Sequence, residues 1–180
     1  MNKIIAIVGM CGSGKSVASE YLENELNYKK VYFGGVTMKK LKEANLEVNA
    51  ENEKMMREKL RKELGMAAYA KVLLPEIKEL AKENNVVLDG LYSWSEYKVL
   101  IEEIPNLKLI SITADKDLRY QRLTKRDIRP LTNIEAQNRD LSEIENIEKA
   151  PPIAYADYYI LNNSTIEEYI NRLNEILKEI

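Results

Sequence analysis

Short apolar runs recur along the chain, separated by longer stretches in which apolar and charged residues alternate. Each run is rich in β-branched or aromatic residues and is followed closely by Gly, Ser, Asp or Asn. This pattern is typical of a strand buried inside a sheet. We predict five such strands, over residues 3–8, 31–33, 85–90, 107–113 and 157–161.

The stretches between these strands place apolar residues three or four positions apart, as on one face of a helix. Strands that alternate with helices favour a parallel sheet covered by helices on both faces. We find no linker, repeat or low-complexity stretch, and we expect a single domain over residues 1–180. The predicted helices cover residues 17–26, 55–83, 117–126 and 165–180, with the longest of them broken near Gly65 and Pro75.

The segment IVGMCGSGKSVAS, residues 7–19, lies between the first predicted strand and the first predicted helix. It contains the complete Walker A pattern Gly-x-x-x-x-Gly-Lys-Ser. Glycines let several backbone N–H groups converge on phosphate oxygens, and the helix that follows adds its positive end. Lys15 can reach the β- and γ-phosphates, and the Ser16 hydroxyl can hold Mg²⁺. The predicted nucleotide-binding residues of this P-loop are Gly9, Cys11, Gly12, Ser13, Gly14, Lys15, Ser16 and Val17.

Two other interpretations of the glycine loop are weaker. A dinucleotide fingerprint needs a middle glycine where Cys11 stands. A simple tight turn into a helix needs one glycine and neither Lys15 nor Ser16. Cys11 itself is either a small loop residue or a redox switch in the phosphate loop.

Composition excludes several classes of protein. The chain has 180 residues, of which 45% are hydrophobic, and this is enough for one core. Its net charge of −2 gives no support for a nucleic-acid or membrane-surface partner, and no apolar run is long enough to span a membrane. One cysteine and no histidine exclude an internal disulfide framework, a histidine triad and a Cys/His metal site. We expect a cytoplasmic protein whose acid–base chemistry relies on Asp, Glu, Lys, Tyr or water.

Asp89 ends the third predicted strand, at the edge of a parallel sheet where ligands bind. A carboxylate there can hold Mg²⁺ or accept a proton from an attacking hydroxyl; the alternative is a helix cap or a turn. Gly90 follows directly, so the Asp-x-x-Gly spacing of a GTPase switch is absent from the sequence, as is an Asn-Lys-x-Asp guanine motif.

A cationic segment covers residues 115–129, with six Lys and Arg residues against three Asp residues. Arg119, Arg122 and Arg126 fall on one helical face. Guanidinium groups suit phosphates, and a cationic segment that closes over a transferring phosphoryl group is what a kinase needs. The alternative is a solvated helix paired with neighbouring acids.

Several segments together resemble the nucleoside monophosphate kinase superfamily. They are the glycine loop, VVLDG (86–90), RYQRLTKR (119–126), RDLSEIE (139–145) and ADYYILNN (156–163). The likeness is strongest to dephospho-coenzyme A kinase and to an uncharacterised, mostly archaeal branch of predicted nucleotide kinases, to which KELGMAAYAK (62–71) is also similar. The resemblance implies a three-layer α/β/α P-loop NTPase fold, five parallel strands in the order 2-3-1-4-5, and a short lid over residues 127–140.

The same resemblance implies roles for later residues. Arg122 matches an arginine that stacks on the adenine of ATP, and Arg126 matches a lid arginine that touches phosphates. Arg129 and Arg139 can swing in from the lid toward the substrate. Asn163 lies in the segment expected to pass near the adenine. The implied cofactors are ATP and Mg²⁺.

The acceptor side departs from the family pattern. These kinases usually carry an acidic residue after the second strand and an arginine three residues later, where this chain has Gly35 and Met38. Tyr92 stands where related predicted kinases tend to have an arginine. Lys39 or Lys40 can replace part of the missing charge, although an ammonium lacks the fork of a guanidinium. Tyr92 and its aromatic neighbours can stack on an acceptor or simply pack in the core.

These features predict an ATP- and Mg²⁺-dependent phosphotransferase acting on a small nucleotide-like acceptor, of the nucleoside monophosphate or dephospho-coenzyme A type. Lys15, Asp89, Arg122 and Arg126 are its expected catalytic residues, with Ser16 and Asp89 at the metal. The alternative is a nucleotide-binding regulator of the same fold that has lost acceptor phosphorylation. We expect a monomer or homodimer, with no nucleic-acid or membrane partner.

Overall fold

The computed structural model describes residues 2–180, and its centre is one five-stranded parallel sheet. Both faces of a parallel sheet are covered by helices, so its inner strands must be apolar throughout. The first strand, at the centre, is buried at all five positions. The strands are β1 (Ile4–Val8), β2 (Lys29–Tyr32), β3 (Val86–Asp89), β4 (Leu107–Thr113) and β5 (Tyr158–Leu161), in the order β2-β3-β1-β4-β5.

Helices connect the strands and form the outer layers. None of the helices within residues 2–180 is long and apolar enough to cross a membrane. They are α1 (Lys15–Asn24), α2 (Gly35–Glu43), α3 (Ala50–Leu64), α4 (Ala68–Leu80), α5 (Trp94–Glu103), α6 (Lys116–Lys125), α7 (Asn133–Ile147), α8 (Ala150–Ala154) and α9 (Ile166–Glu179).

The alternation of side chains along β1 divides the core into two layers. Ile4, Ala6 and Val8 belong to the cluster that includes α3, α4 and α5. Ile5 and Ile7 belong to the cluster on the opposite face, with α1 and α9. A small third cluster joins α6 to α7 beside the glycine loop. The helices therefore cover the two faces of the sheet. The edge formed by the carboxyl ends of the strands is where the glycine loop and the turn after β3 begin.

The strand register determines which residues meet at that edge. Asp89 pairs with Ile7 of β1 and with Tyr32 of β2. The glycine loop after β1, the turn after β3 and the start of α2 therefore emerge side by side. Ligands of open α/β sheets bind at such an edge.

The predicted three-layer fold and strand order are confirmed. The predicted break of the long helix is correct at Gly65 and wrong at Pro75, which lies inside α4. Pro75 is exposed, so the carbonyl group that loses its N–H donor can bind water instead. Helices α2, α5 and the five-residue α8 were not predicted, and α7 was expected only as a helix that carries Arg139. Helices α2 and α5 each follow directly on a strand and a turn.

Candidate functional site

The loop between β1 and α1 can adopt its path only because it contains glycines. Gly9 and Gly14 have φ angles of +148° and +103°, which residues with a Cβ rarely adopt. A Cβ at Gly9 would collide with the Ile112 carbonyl oxygen, and one at Gly14 would collide with the Asn162 amide. The loop is therefore packed closely against the rest of the protein at both glycines, so only glycine fits there.

Three side chains from distant parts of the chain hold the loop in place. Asn162 Nδ2 donates to the Ser13 carbonyl oxygen at 2.8 Å, and the Tyr169 hydroxyl donates to the Gly14 carbonyl oxygen at 3.0 Å. Arg119 Nη1 donates to the Cys11 carbonyl oxygen at 2.9 Å. These bonds fix the backbone of the loop at three carbonyl groups.

Arg119 is itself held by a buried ion pair. Its Nη1 and Nη2 atoms lie 3.1 and 2.6 Å from the two carboxylate oxygens of Asp140 on α7. Asp140 also accepts a hydrogen bond from the Tyr120 hydroxyl. Both members of the pair are less than 10% exposed. The pair therefore links the glycine loop to α7, at the last residue of the predicted lid segment.

Lys15 curls back over the glycine loop. Its ammonium donates to the Met10 carbonyl oxygen at 3.0 Å. Its pKa is lowered from the ordinary 10.5 to about 8, chiefly by burial and next by the positive charge of Lys149. Nearby, the Ser13 Oγ atom is buried and has no hydrogen-bond partner among residues 2–180. A bound phosphate would suit the ammonium because it would neutralise its charge, whereas the Ser13 hydroxyl lies on the packed side of the loop, against Gly9.

A carboxylate lies beside the first turn of α1. Asp89 Oδ2 accepts a hydrogen bond from Ser19 Oγ at 3.0 Å, and Ser19 Oγ also lies 3.1 Å from the Ser16 carbonyl oxygen. Ser16 is exposed at the helix N-terminus. Within residues 2–180 no three His, Cys, Asp or Glu residues form a metal-binding group. A hydroxyl and one carboxylate fit Mg²⁺ of the kind that takes its other ligands from water and nucleotide phosphates.

Aromatic side chains line the edge next to Asp89. Tyr92 packs against the turn at Gly90, and Tyr32 lies across Gly34, just before α2. Burial raises the pKa of the Tyr92 hydroxyl, so Tyr92 is neutral and cannot serve as a general base. We call these two side chains, Tyr32 and Tyr92, the Tyr92 wall. The family resemblance implies that the phosphate acceptor binds beside it.

A charge cluster on and after α7 lies beside this wall. Glu143 accepts hydrogen bonds from Arg139 Nε at 3.0 Å and from Lys149 Nζ. Burial opposes ionisation of Glu143, but the charges of Lys149 and Arg139 hold its pKa below the ordinary value. The Lys149 ammonium lies 4.7 Å from the centre of the Tyr92 ring. The cluster thus connects α7 to the predicted acceptor wall.

The arginines of the predicted lid occupy different environments. Arg122 Nη2 donates at 2.9 Å to the carbonyl oxygen of Asn162, the same residue whose side chain holds the glycine loop. Arg126 Nε donates to the Arg129 carbonyl oxygen at 2.6 Å, within the connection between α6 and α7. Arg129 Nη2 donates to Glu53 of α3 at 3.0 Å. The predicted lid segment, residues 127–140, therefore comprises this loop and the first half of α7, and one ion pair ties it to α3.

Comparison with known proteins places this arrangement in a family. The AAA_18 family, described as an AAA domain, matches residues 5–146. A UPF0200 protein from Sulfurisphaera tokodaii is 36% identical over 183 residues, covering 99% of this chain and 97% of that protein. The chain belongs to the UPF0200 family. The P-loop of this UPF0200 chain lies inside the matched range.

Solved structures share the fold. A shikimate kinase from Bacteroides thetaiotaomicron superposes with a TM-score of 0.64 at 17% identity, covering 98% of each chain. A gluconokinase from Sinorhizobium meliloti superposes with a TM-score of 0.58 at 16% identity, covering 98% of this chain and 95% of that one. At such identities the likeness concerns the fold alone. The P-loop kinase-like fold is confirmed, whereas the narrower likeness to dephospho-coenzyme A kinase stays a prediction.

Most predicted site residues lie along the open edge of the sheet, but some do not converge on it. Gly35 begins α2 beside Tyr32, whereas Lys39 is exposed on the same helix. Asn163 is exposed, and its Oδ1 atom accepts from the Asp115 backbone N–H. The Val17 backbone N–H donates to the Gly14 carbonyl oxygen inside the first turn of α1.

The structure also brings in residues that the sequence analysis did not select. Asn162 and Tyr169 hold the glycine loop, and Glu143 and Lys149 form the charge cluster. Glu143 carried a signal, because it lies four positions after Arg139 and such pairs meet on a helix. Lys149 carried none, since it lies beyond the end of α7.

Proposed function

We propose that this chain is an ATP- and Mg²⁺-dependent phosphotransferase that moves the γ-phosphoryl group of ATP to a small nucleotide-like acceptor. One observation carries the proposal: the glycine loop and Lys15 share an edge of the sheet with Asp89 and the Tyr92 wall. A donor phosphate site beside a carboxylate and a wall of aromatic side chains suits transfer between two small molecules.

In this proposal, the loop amides and Lys15 bind the triphosphate of ATP, with Arg122 and Arg126 on its outer side. Ser16 and Asp89 would hold Mg²⁺, which offsets negative charge on the phosphates when bound. The acceptor oxygen forms a bond to the γ-phosphorus, and the bond to the β–γ bridging oxygen breaks with its electron pair leaving on ADP. Where that oxygen belongs to a hydroxyl, its proton passes to the Asp89 carboxylate.

The acceptor is the finer part of the proposal. Gly35, Tyr92, Arg129 and Arg139 would contact it, with Lys39 exposed at the margin of the same side. Nucleoside monophosphates and dephospho-coenzyme A are the first acceptors to test, because the sequence resembles kinases of those substrates. Since the fold also occurs in a shikimate kinase and a gluconokinase, shikimate and gluconate belong in the same screen.

The test is ATP consumption by purified protein with each acceptor in turn. We expect one acceptor to raise turnover well above the rate without acceptor, and Lys15→Ala to abolish this increase. Lys178→Ala, an exposed lysine in the last turn of α9, is the matched control and should behave as wild type. If no acceptor raises turnover while ATP still binds, the phosphotransferase proposal fails.

A nucleotide-binding regulator is the second candidate. Gly35 and Met38 stand where related kinases carry an acidic residue and an arginine, and this favours loss of acceptor phosphorylation. The regulator would bind ATP or ADP tightly without acceptor-dependent turnover. Calorimetry with ATP alone, followed by the acceptor screen, distinguishes the two candidates.

A further inference from the structure

We infer that Lys149 binds the phosphoryl group in transfer, on the side opposite Lys15. The inference rests on the proposed phosphotransferase function and assigns to it a residue outside both the glycine loop and the lid. Lys149 lies just after α7, where it is 2% exposed. Lysine is almost never buried to this extent unless it is paired, so the position calls for an explanation.

The pairing of Lys149 does not use up its charge. Glu143 is its hydrogen-bond partner, but the same carboxylate also accepts from Arg139. An ammonium has three N–H donors, and Glu143 takes one of them. Two cations share one carboxylate, so this part of the site keeps excess positive charge. Buried ion pairs contribute little net stability, so stability alone does not explain a second cation at Glu143.

Its neighbours place Lys149 between the donor and acceptor sides. The ammonium lies 4.7 Å from the centre of the Tyr92 ring, close enough for a cation–π interaction that orients it. Tyr92 follows Asp89 and Gly90, at the edge where the acceptor would bind. On the donor side, the positive charge of Lys149 contributes to the lowered pKa of Lys15. An anion between the two ammonium groups would relieve their repulsion.

A phosphoryl group in transfer has the required charge and position. As the bond to the bridging oxygen of ADP breaks and the bond to the acceptor oxygen forms, negative charge lies on the three equatorial oxygens. Lys15 would contact this group from the glycine loop, and Lys149 from the Tyr92 wall. Cations that meet charge where it develops contribute most to the rate.

The test uses ADP alone and ADP with Mg²⁺ and aluminium fluoride, a mimic of the phosphoryl group in transfer, and needs no known acceptor. Lys149→Met would leave Glu143 without one partner, so the principal variant is Lys149→Met combined with Glu143→Gln. We expect this double variant to bind ADP within about twofold of wild type and ADP–aluminium fluoride at least about tenfold more weakly. The single variant Lys149→Arg keeps a positive charge, so it should lose less affinity for ADP–aluminium fluoride than the double variant does.

The outcomes separate the inference from the function on which it rests. If wild type binds ADP–aluminium fluoride and the double variant binds it equally well, the inference is wrong and the function stands. If the double variant loses affinity for both ligands to the same extent, Lys149 supports the site as a whole and the inference is also wrong. If wild type binds neither ligand, the proposed function itself fails, and the role of Lys149 with it.

Discussion

Lys15 is expected to destabilise the free protein while it enables ligand binding. Its ammonium is held in a partly buried position, and its pKa falls from the ordinary 10.5 to about 8. Each pKa unit corresponds to about 1.4 kcal/mol, so the difference corresponds to about 3 kcal/mol at most. Solvent screening reduces this value, and the hydrogen bond to Met10 offsets about 1 kcal/mol of it.

We therefore predict that Lys15→Met raises the free energy of unfolding at pH 7 by about 1–2 kcal/mol, while it abolishes ATP binding. Methionine keeps the length of the side chain and removes its charge. Such opposition between stability and function is expected where a site is built to hold a ligand.

The pH dependence of this effect has a definite sign. Below pH 8, Lys15 is protonated in both the folded and unfolded states, and the folded state carries the full cost of the buried charge. Between pH 8 and 10.5, the folded state releases the proton while the unfolded state keeps it, so wild type gains stability relative to Lys15→Met. The difference between the two proteins should therefore narrow as the pH rises from 8 to 10.

Urea unfolding at pH 7 and pH 10, without nucleotide, measures this difference. Lys178→Met, on the exposed side of α9, is the matched control and should leave stability unchanged at both pH values. If Lys15→Met were less stable than wild type at pH 7, or if the gap were the same at both pH values, the electrostatic reasoning would be refuted.

Three further predictions concern the loop, its support and the carboxylate. Arg119→Met should destabilise the fold by about 3–5 kcal/mol because it leaves Asp140 buried without its partner. Thermal unfolding measures this loss, and a double variant that also replaces Asp140 should recover part of it. Gly14→Ala should abolish nucleotide binding in calorimetry, whereas Gly65→Ala should preserve it, because both backbones have positive φ but only the Cβ at Gly14 meets another atom. Asp89→Asn should lower acceptor-dependent turnover by about a hundredfold with little change in ATP affinity, and unchanged turnover would exclude Asp89 as the proton acceptor.

The strands and the glycine loop could be predicted because their signals are local. An inner strand covered on both faces has to be apolar along its length. The five predicted runs correspond to the five strands, and no end differs by more than two residues. The glycine loop needs left-handed backbone at fixed positions, and Lys15 and Ser16 follow it at a fixed spacing. Spacing of this kind can be recognised within a dozen residues.

The helices on the acceptor side were harder to predict. Residues 35–43 form α2 with only three buried positions, so their apolar pattern is too short to stand out. Pro75 indicated a break that does not occur, because the packing of Leu73 and Ile77 against the sheet keeps the helix intact around it.

The amino-acid sequence alone determined the class of fold and the position of the phosphate-binding loop, since both depend on neighbours in the chain. Only the tertiary structure decided what surrounds that loop. Asn162 holds the Ser13 carbonyl across 149 positions of sequence, and Lys149 comes to Tyr92 from beyond the end of α7. Such contacts depend on which strands pair and how the helices pack over them, and no short-range pattern encodes that.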